Sequence, residues 1–261
     1  MKCLMIGDIF GRPGRRIMRE RLAQLIDEHQ IDFVVANAEN AAGGFGLTES
    51  IADELFGYGV DVLTGGNHSW DKSQGHSLLD ENERVLRPHN YPASNPGSGV
   101  TVVSCDGVKI AVLNLQGRVF MPLTHCPFEA ADRLLTSVQD EADVILVDFH
   151  GEATSEKLAM AWHLDGRATA LVGTHTHVPT ADTRLFPKGM AYVTDLGMTG
   201  PHHSIIGVKV EQSLSRFLHG RSSTRFEPAS GDVRLQGVVI DVDESEGIAR
   251  RIWRVEAVLD S

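Results

Sequence analysis

Residues 144–151 read VILVDFHG, a run of four apolar residues that ends in Asp, Phe and His before a Gly. A short apolar run of this kind is typical of a buried strand. Similar runs occupy residues 3–6, 33–36, 60–63 and 171–172, and helical patterns separate them. The clearest of those helices starts at Pro13. This alternation predicts buried strands joined by crossover helices.

Two other stretches predict β-hairpins, which an entirely parallel sheet would lack. Residues 100–103 and 109–114 flank the turn at 105–107, and residues 238–242 and 252–258 flank an acidic turn that contains Gly. The sheet is therefore predicted to be mixed. A pair of sheets covered by helices fits this pattern better than one parallel sheet, so the predicted fold is a mixed-sheet α/β/β/α sandwich.

Length and composition indicate one large globular unit. The chain has 261 residues, of which 42% are hydrophobic and 23% are charged, so we expect a single domain over residues 1–261 with a sizeable core. The loop over residues 88–99 is too short to separate two domains. The residues give no sign of whether the protein forms a homo-oligomer.

The formal net charge of -11 opposes general binding to nucleic acid or to an anionic membrane. A phosphate-bearing substrate would therefore need a local positive centre, which metal ions could supply. The three cysteines form no CxxC pair, which fits a reducing compartment. With no apolar leader and no run long enough to span a membrane, we expect a cytoplasmic protein.

Polar side chains that can bind metal follow nearly every predicted central strand. They are Asp8, the pair Glu39 and Asn40, the pair Asn67 and His68, then His150, and finally His175 and His177. Each alone suits a helix cap, a turn or an ordinary hydrogen-bonded histidine. Because the carboxyl ends of strands in an open α/β sheet converge on one crevice, the joint pattern predicts that they meet in one site.

The sharpest local signal is His175-Thr176-His177, directly after a buried run. Residues two apart at a strand end project in the same direction, so we expect both imidazoles to reach one or two ions without strain. The alternative is a surface strand with two exposed histidines. The buried character of residues 171–173 favours the metal-binding interpretation.

The ordered series of these motifs resembles the calcineurin-like metallophosphoesterase superfamily. The closer resemblance is to a bacterial branch of it, the YmdB-type phosphodiesterases, and it covers nearly the whole chain. The segments that carry it are residues 38–42 (AENAA), 66–71 (GNHSWD), 114–118 (NLQGR), 148–157 (DFHGEATSEK), 165–168 (DGRA), 173–178 (GTHTHV) and 194–201 (TDLGMTGP).

Three positions depart from the wider superfamily pattern. Phe10 stands where the superfamily places a metal-binding His, so one ion needs another ligand, for which Asn40 is the natural candidate. Glu39 replaces the usual bridging Asp. Ser69 follows His68 where superfamily members often have an acid, which leaves open what orients His68; Asp71 could do so indirectly.

The resemblance implies a role for each residue and a cofactor of two metal ions. Glu39 would bridge both ions; Asp8, Asn40 and His177 would complete one site, and Asn67, His150 and His175 the other. Imidazole with carboxylate suits Fe, Mn or Zn, and the resemblance puts Fe first. A hydroxide held between the ions would attack phosphorus in line, and His68 would protonate the leaving oxygen.

The implied substrate is a small phosphodiester, a 2',3'-cyclic nucleotide above all. Two divalent ions with Asp8, Glu39 and one hydroxide leave a single positive charge, which complements a phosphodiester. Two alternatives remain: a dimetal hydrolase of another bond class, or a regulatory binding protein with incidental hydrolysis. Arg12, near the start of the first helix, could contact a substrate phosphate or only cap a turn.

Overall fold

The computed structural model describes residues 1–221 and 225–259. In these ranges the strands, in chain order, are β1 (Lys2–Ile6), β2 (Asp8–Ile9), β3 (Phe33–Asn37), β4 (Val62–Thr64), β5 (Val100–Cys105), β6 (Val108–Gln116), β7 (Val144–His150), β8 (Ala170–Thr174), β9 (Arg184–Leu185), β10 (Ala191–Val193), β11 (Met198–Pro201), β12 (Val233–Asp243) and β13 (Ile248–Val258). The helices are α1 (Gly11–His29), α2 (Glu49–Gly57), α3 (Gln74–Glu81), α4 (Pro127–Val138), α5 (Thr154–Leu164) and α6 (Val210–His219).

The strands form two mixed sheets. In the seven-stranded sheet the order is β2-β11-β12-β1-β3-β4, with β13 paired to β12. In the six-stranded sheet the order is β5-β6-β7-β8-β10-β9. In the six-stranded sheet, the antiparallel strands β5 and β9 flank the parallel strands β6-β7-β8-β10. In the seven-stranded sheet, the parallel strands β1-β3-β4 reach one edge, and β1 pairs with antiparallel β12 on its other side.

The two sheets pack face to face, and helices cover their outer faces. Alternate residues of β1 point to opposite sides: Leu4 packs with Ile17 of α1, whereas Met5 packs with Leu146 of β7 between the sheets. On the far side, Phe149 of β7 belongs to a cluster with residues of α4 and α5. The predicted α/β/β/α sandwich is thus confirmed, and no helix in the described ranges could cross a membrane.

The predicted strands and both predicted hairpins are confirmed, although most of the strands are longer than predicted and one is shifted. The run predicted at residues 60–63 forms a strand only over Val62–Thr64. The hairpins pair β5 with β6 and β12 with β13, both antiparallel. The first helix begins at Gly11, two residues before Pro13. Pro13 fits there because the first backbone N–H groups of a helix have no partner within the helix.

One buried carboxylate, that of Asp148 in β7, ties the sheets together where their parallel strands end. Its two oxygens accept hydrogen bonds from the Asn37 amide at 3.0 Å and the Thr64 hydroxyl at 2.5 Å, both in the seven-stranded sheet, and from the Thr174 hydroxyl at 2.6 Å in β8. Burial raises the pKa of Asp148, and these donors oppose the rise. A carboxyl group at this depth is tolerated because it is hydrogen-bonded.

We expect Asp148→Ala to destabilise the protein by about 3 kcal/mol or more, because three buried donors would lose their acceptor. Urea unfolding followed by circular dichroism would measure the loss. Asp140→Ala, at an exposed acid, is the matched control and should stay within about 0.5 kcal/mol of wild type. A loss below about 1 kcal/mol in Asp148→Ala would show that this carboxylate does not hold the sheets together.

Candidate metal centre

The eight side chains predicted from the sequence all lie at or just beyond strand ends, but these ends belong to both sheets. From the seven-stranded sheet come Asp8 in β2, Glu39 and Asn40 after β3, and Asn67 and His68 after β4; from the six-stranded sheet come His150 at the end of β7 and His175 and His177 after β8. The expectation of a crevice along one open sheet is therefore replaced by a site between two. All of these residues except His68 are called the ligand cluster below.

One half of the ligand cluster converges on Nε2 of His150. This nitrogen lies 3.0 Å from Asn67 Oδ1, 3.1 Å from His175 Nδ1 and 3.3 Å from Glu39 Oε1. The ligand atoms of Glu39, His150 and His175 lie within 4.8 Å of one another. Four lone-pair donors from four segments of the chain thus point at one small volume, which is the arrangement that a transition-metal ion requires.

The other half surrounds Nε2 of His177. The Asn40 side-chain nitrogen lies 3.2 Å from it, and Asp8 Oδ1 lies 3.7 Å from it. The Asn40 amide also donates a hydrogen bond to Glu39 Oε1 at 3.0 Å. Glu39 Oε1 therefore contacts both halves of the ligand cluster, which is where a bridging carboxylate would lie.

A glycine makes this convergence sterically feasible. A Cβ atom at Gly66 would lie 2.3 Å from Glu39 Oε2 and 2.4 Å from His150 Nε2, both far below van der Waals contact. Any side chain here would separate the carboxylate from the imidazole. The Gly that precedes Asn67 in the sequence motif is thus part of the geometry of the site.

His150 is oriented by a relay to Asp148. Its Nδ1 lies 3.0 Å from the Thr174 hydroxyl, which donates its own hydrogen to Asp148 at 2.6 Å. Because that hydroxyl proton is engaged, Thr174 accepts the Nδ1–H of His150. In the neutral form of His150 the tautomer is thereby fixed with the lone pair on Nε2, towards the ligand cluster.

The other two histidines are held in the same manner. His177 donates its Nδ1–H to the carbonyl oxygen of Ile206 at 2.9 Å, which leaves Nε2 as the electron-pair donor. His175 has Nε2 3.3 Å from a carboxylate oxygen of Glu152, which leaves Nδ1 towards His150. A partner on the far nitrogen is the usual support of a metal-binding histidine.

The backbone of His175 and His177 differs from what the sequence predicted. Both residues lie beyond the end of β8, and their φ angles are 99° and 64°. Residues with a Cβ atom rarely adopt these angles, which cost free energy. The prediction that strand alternation delivers both imidazoles without strain is wrong; a strained turn delivers them.

A buried ion pair between Lys157 and Asp195 supports this turn, and neither residue is among those predicted from the sequence. Lys157 of α5 donates to the Thr174 carbonyl and to Asp195 Oδ2, each at 2.8 Å. The same Asp195 oxygen accepts the backbone N–H and the hydroxyl of Thr176, between the two histidines. A lysine on the buried face of a predicted helix was the available signal, because buried Lys is rare unless it is paired.

Burial and close charges perturb the titration of the ligand cluster. Burial raises the pKa of Asp8 to about 6, and burial together with the nearby His150 lowers the pKa of His175 to about 3. Burial disfavours charge on His150 as well, yet the carboxylates of Glu39 and Asp8 outweigh it and raise its pKa to about 9. Burial alone would raise the pKa of Glu39, but the nearby His150 outweighs burial and lowers it.

The side chains fit a pair of transition-metal ions. Asp8 Oδ1 is buried, and it has no hydrogen-bond partner within the described residues, although such an atom is costly to leave unpaired. Its other oxygen accepts the backbone N–H of His175 at 3.1 Å. A cation beside Asp8 Oδ1 and His177 Nε2 would provide the missing partner of Asp8 Oδ1. If the side-chain amide of Asn40 rotated so that its oxygen and nitrogen exchanged places, Asn40 Oδ1 could bind the same cation.

His68 lies beside the ligand cluster, and the structure identifies the groups that orient it, which the sequence did not. Its backbone N–H donates to Glu39 Oε2 at 2.9 Å, and its Nδ1 lies 2.7 Å from Asp71 Oδ2. Asp71 therefore orients His68 directly, whereas the sequence suggested an indirect effect. Ser69, in the position of the usual acid, exchanges hydrogen bonds with the Gly66 backbone instead and braces the loop.

An apolar cavity of about 410 Å³ opens beside the ligand cluster. Its lining residues are Phe10, Glu39, Asn40, Gly44, Phe45, His68, His175, His177, Ile205, Ile206, Val208, Ser213, Arg216, Phe217 and Phe226. Phe10, where the superfamily has a metal-binding His, packs edge to face against His177 with ring centroids 5.6 Å apart. Arg12 does not line this cavity but a separate surface depression formed by arginines of α1.

Comparison with known proteins identifies relatives over the full described fold. A family model described as YmdB-like protein matches residues 4–255. A 2',3'-cyclic-nucleotide 2'-phosphodiesterase from Bacillus subtilis (strain 168) is 46% identical over 255 residues, which is 98% of this chain and 96% of the relative.

Two solved structures have the same fold along the whole chain. One, a hypothetical protein from Thermus thermophilus, matches with a TM-score of 0.93 and 43% identity over 99% of both chains. The other, described as a novel phosphatase from Mycoplasma pneumoniae, matches with a TM-score of 0.92 and 38% identity over 99% of this chain and 93% of that one.

Metal affinity should rise with pH because an ion can bind Nε2 of His150 only after its proton leaves. With the pKa of His150 raised to about 9, the apparent association constant for Mn²⁺ should increase by up to about tenfold per pH unit between pH 7 and 9 and then level off. Titration calorimetry in buffers of different ionisation enthalpy should show proton release in that range. An affinity independent of pH would contradict the assignment of His150 as a ligand.

Proposed function

Because this chain belongs to the YmdB-like protein family, we propose that it is a metal-dependent phosphoric diester hydrolase that acts on nucleoside 2',3'-cyclic phosphates. The observation that carries the proposal is the convergence of Glu39, His150 and His175, whose ligand atoms lie within 4.8 Å of one another. Glu39 and His150 are buried and His175 is partly buried, and such a set of donors at strand ends has no structural use that an apolar core would not serve better.

The proposed centre holds two ions, with Fe first and Mn or Zn as alternatives. Glu39 would bridge them, because its Oε1 contacts both halves of the ligand cluster. Asn67, His150 and His175 would hold one ion, and Asp8, Asn40 and His177 would hold the other. The division follows the distances: each set surrounds one imidazole nitrogen.

The pair of ions would supply an activated water and neutralise charge on the phosphoryl oxygens. The protein's own part is to position and to transfer protons. Asp71 accepts a hydrogen bond from Nδ1–H of His68, so the doubly protonated imidazole would be the form that donates its Nε2 proton to the departing oxygen. The hydrogen bond from the His68 backbone N–H to Glu39 holds this residue beside the centre.

The substrate class rests on a relative and on charge. The Bacillus subtilis protein is named for cleavage of 2',3'-cyclic nucleotides at the 2' position, and such cleavage leaves a nucleoside 3'-phosphate. The acidic surface, with a net charge of -11, favours a small diester over a polynucleotide. Since both sheets contribute ligands, we propose that the chain works as one domain.

Glu39→Gln should retain the fold but lower kcat on 2',3'-cyclic AMP to less than a tenth of wild type, because the neutral amide is a poor bridge. The Mn²⁺-loaded wild type should bind about two ions and release adenosine 3'-phosphate, as measured by elemental analysis and chromatography. Glu49→Gln, at an exposed position of α2, is the matched control and should behave as wild type. Two bound ions and more than a tenth of kcat in Glu39→Gln would require another bridge, and a wild type inactive on this diester would refute the substrate.

His68→Ala should lower kcat on 2',3'-cyclic AMP by about 10² to 10⁴, which is the usual contribution of a general acid, while both ions stay bound. The loss should be smaller on bis(4-nitrophenyl) phosphate, because an aryl oxide leaves without protonation. Steady-state kinetics on both diesters and the metal content of the variant provide the readout. Loss of an ion would make His68 a ligand, and equal losses on the two diesters would rule out proton donation to the leaving group.

A further inference from the structure

The apolar cavity shares its wall with the ligand cluster, and we infer that it is the subsite for the nucleobase of the substrate. The inference rests on the proposed function and adds what the enzyme recognises beyond the phosphodiester. Glu39, His175 and His177 of the ligand cluster also line the cavity. A ligand whose phosphate lies at the centre therefore has the cavity as an adjoining space.

The floor of the cavity is rigid and aromatic. Phe10 and Val208 belong to a small buried cluster against which Phe226 packs. A Cβ atom added at Gly207 would lie 2.7 Å from the ring of Phe10, and one at Gly44 would lie 3.0 Å from it. Backbone at both glycines therefore lies close to the Phe10 ring and restricts its movement.

Two further aromatic side chains stand at the walls with part of their area in water. Phe45 packs edge to face on His68 with ring centroids 5.0 Å apart, and Phe217 of α6 is 76% exposed. A base placed against Phe217 would remove apolar area from water and stack on its ring. Stacking on an aromatic ring is how proteins bind bases irrespective of sequence.

The polarity and the size of the cavity also fit a neutral base. Apart from the residues of the centre and His68, the polar side chains among its lining residues are Ser213 and Arg216, and the guanidinium of Arg216 lies over the Phe226 ring. With few groups to read hydrogen-bonding edges, the subsite should distinguish bases mainly by stacking area, so purines should bind better than pyrimidines. A volume of about 410 Å³ lies in the range of small-ligand sites.

The test compares substrates with and without a base on the Mn²⁺-loaded protein. 2',3'-Cyclic AMP and ethylene phosphate have the same five-membered cyclic diester, but only the first has a base. Phe217→Ala should raise KM for 2',3'-cyclic AMP about tenfold with little change in kcat. Leu218→Ala, the next residue of α6, 69% exposed and outside the cavity lining, is the matched control and should keep the wild-type KM.

A variant that fills the cavity provides a second test, in case the truncation of Phe217 changes KM only slightly. Ser213→Leu should raise KM for 2',3'-cyclic AMP and lower the preference for it over ethylene phosphate. If KM for 2',3'-cyclic AMP stays within twofold of wild type in both Phe217→Ala and Ser213→Leu, the cavity is not a base subsite. Equal kcat/KM of the wild type on the two diesters would likewise overturn the subsite and leave the hydrolase intact.

Failure of the proposed function would give a different result, namely cleavage of neither diester. Calorimetry with adenosine then decides the subsite separately. Adenosine binding that Phe217→Ala weakens and Leu218→Ala does not would support the base subsite. Absence of adenosine binding to the wild type would overturn it.

Discussion

The buried carboxylate of Asp148 is the interaction on which both the fold and the proposed centre depend. It accepts hydrogen bonds from both sheets, and through Thr174 it fixes the tautomer of His150. Burying a carboxyl group without these donors would cost several kcal/mol, so the network is stable only when every partner is in place. The separation of the sheets at their strand ends and the direction of the lone pair of neutral His150 are consequently set by the same group. Asn114 adds a second link, since its Oδ1 accepts the Gly65 N–H.

The sequence predicted most of the architecture because strand burial and hairpin turns leave local patterns. The grouping of residues around a centre was also predictable, since polar side chains after apolar runs mark strand ends. The supporting contacts were not, because they join residues far apart in the chain: Asp148 with Asn37, and Lys157 with Asp195. The sequence signal of these contacts was a charged residue within an apolar pattern. Periodicity alone does not show whether such a side chain points into the core or into solvent. The strained turn at His177 was missed because strand alternation stops where the strand does.

Phe10 relates the two halves of the proposed site. The wider superfamily has a metal-binding histidine at this position, and here a ring packs against His177 and forms the cavity floor. Relative to the superfamily, the single change from His to Phe at this position removes a metal ligand and adds an apolar surface. In the proposed centre the Asn40 side chain, which contacts both Glu39 and His177, takes the place of the missing imidazole. In the proposed site, a loss of donor strength at the ion would thus be accompanied by a gain of contact area for the substrate.

The division of the ligand cluster between the sheets has a mechanical consequence. An ion held by Glu39 from one sheet and by His150 from the other would act as a cross-link through the middle of the sandwich, in parallel with the hydrogen bonds of Asp148. Sliding of one sheet over the other would stretch the coordination bonds directly. A relative displacement of the sheets anywhere in the core would therefore strain the centre. Slow breathing motions of the two layers and exchange of the ions with solvent would then be a single process, and chelation would loosen the sandwich at its most constrained end.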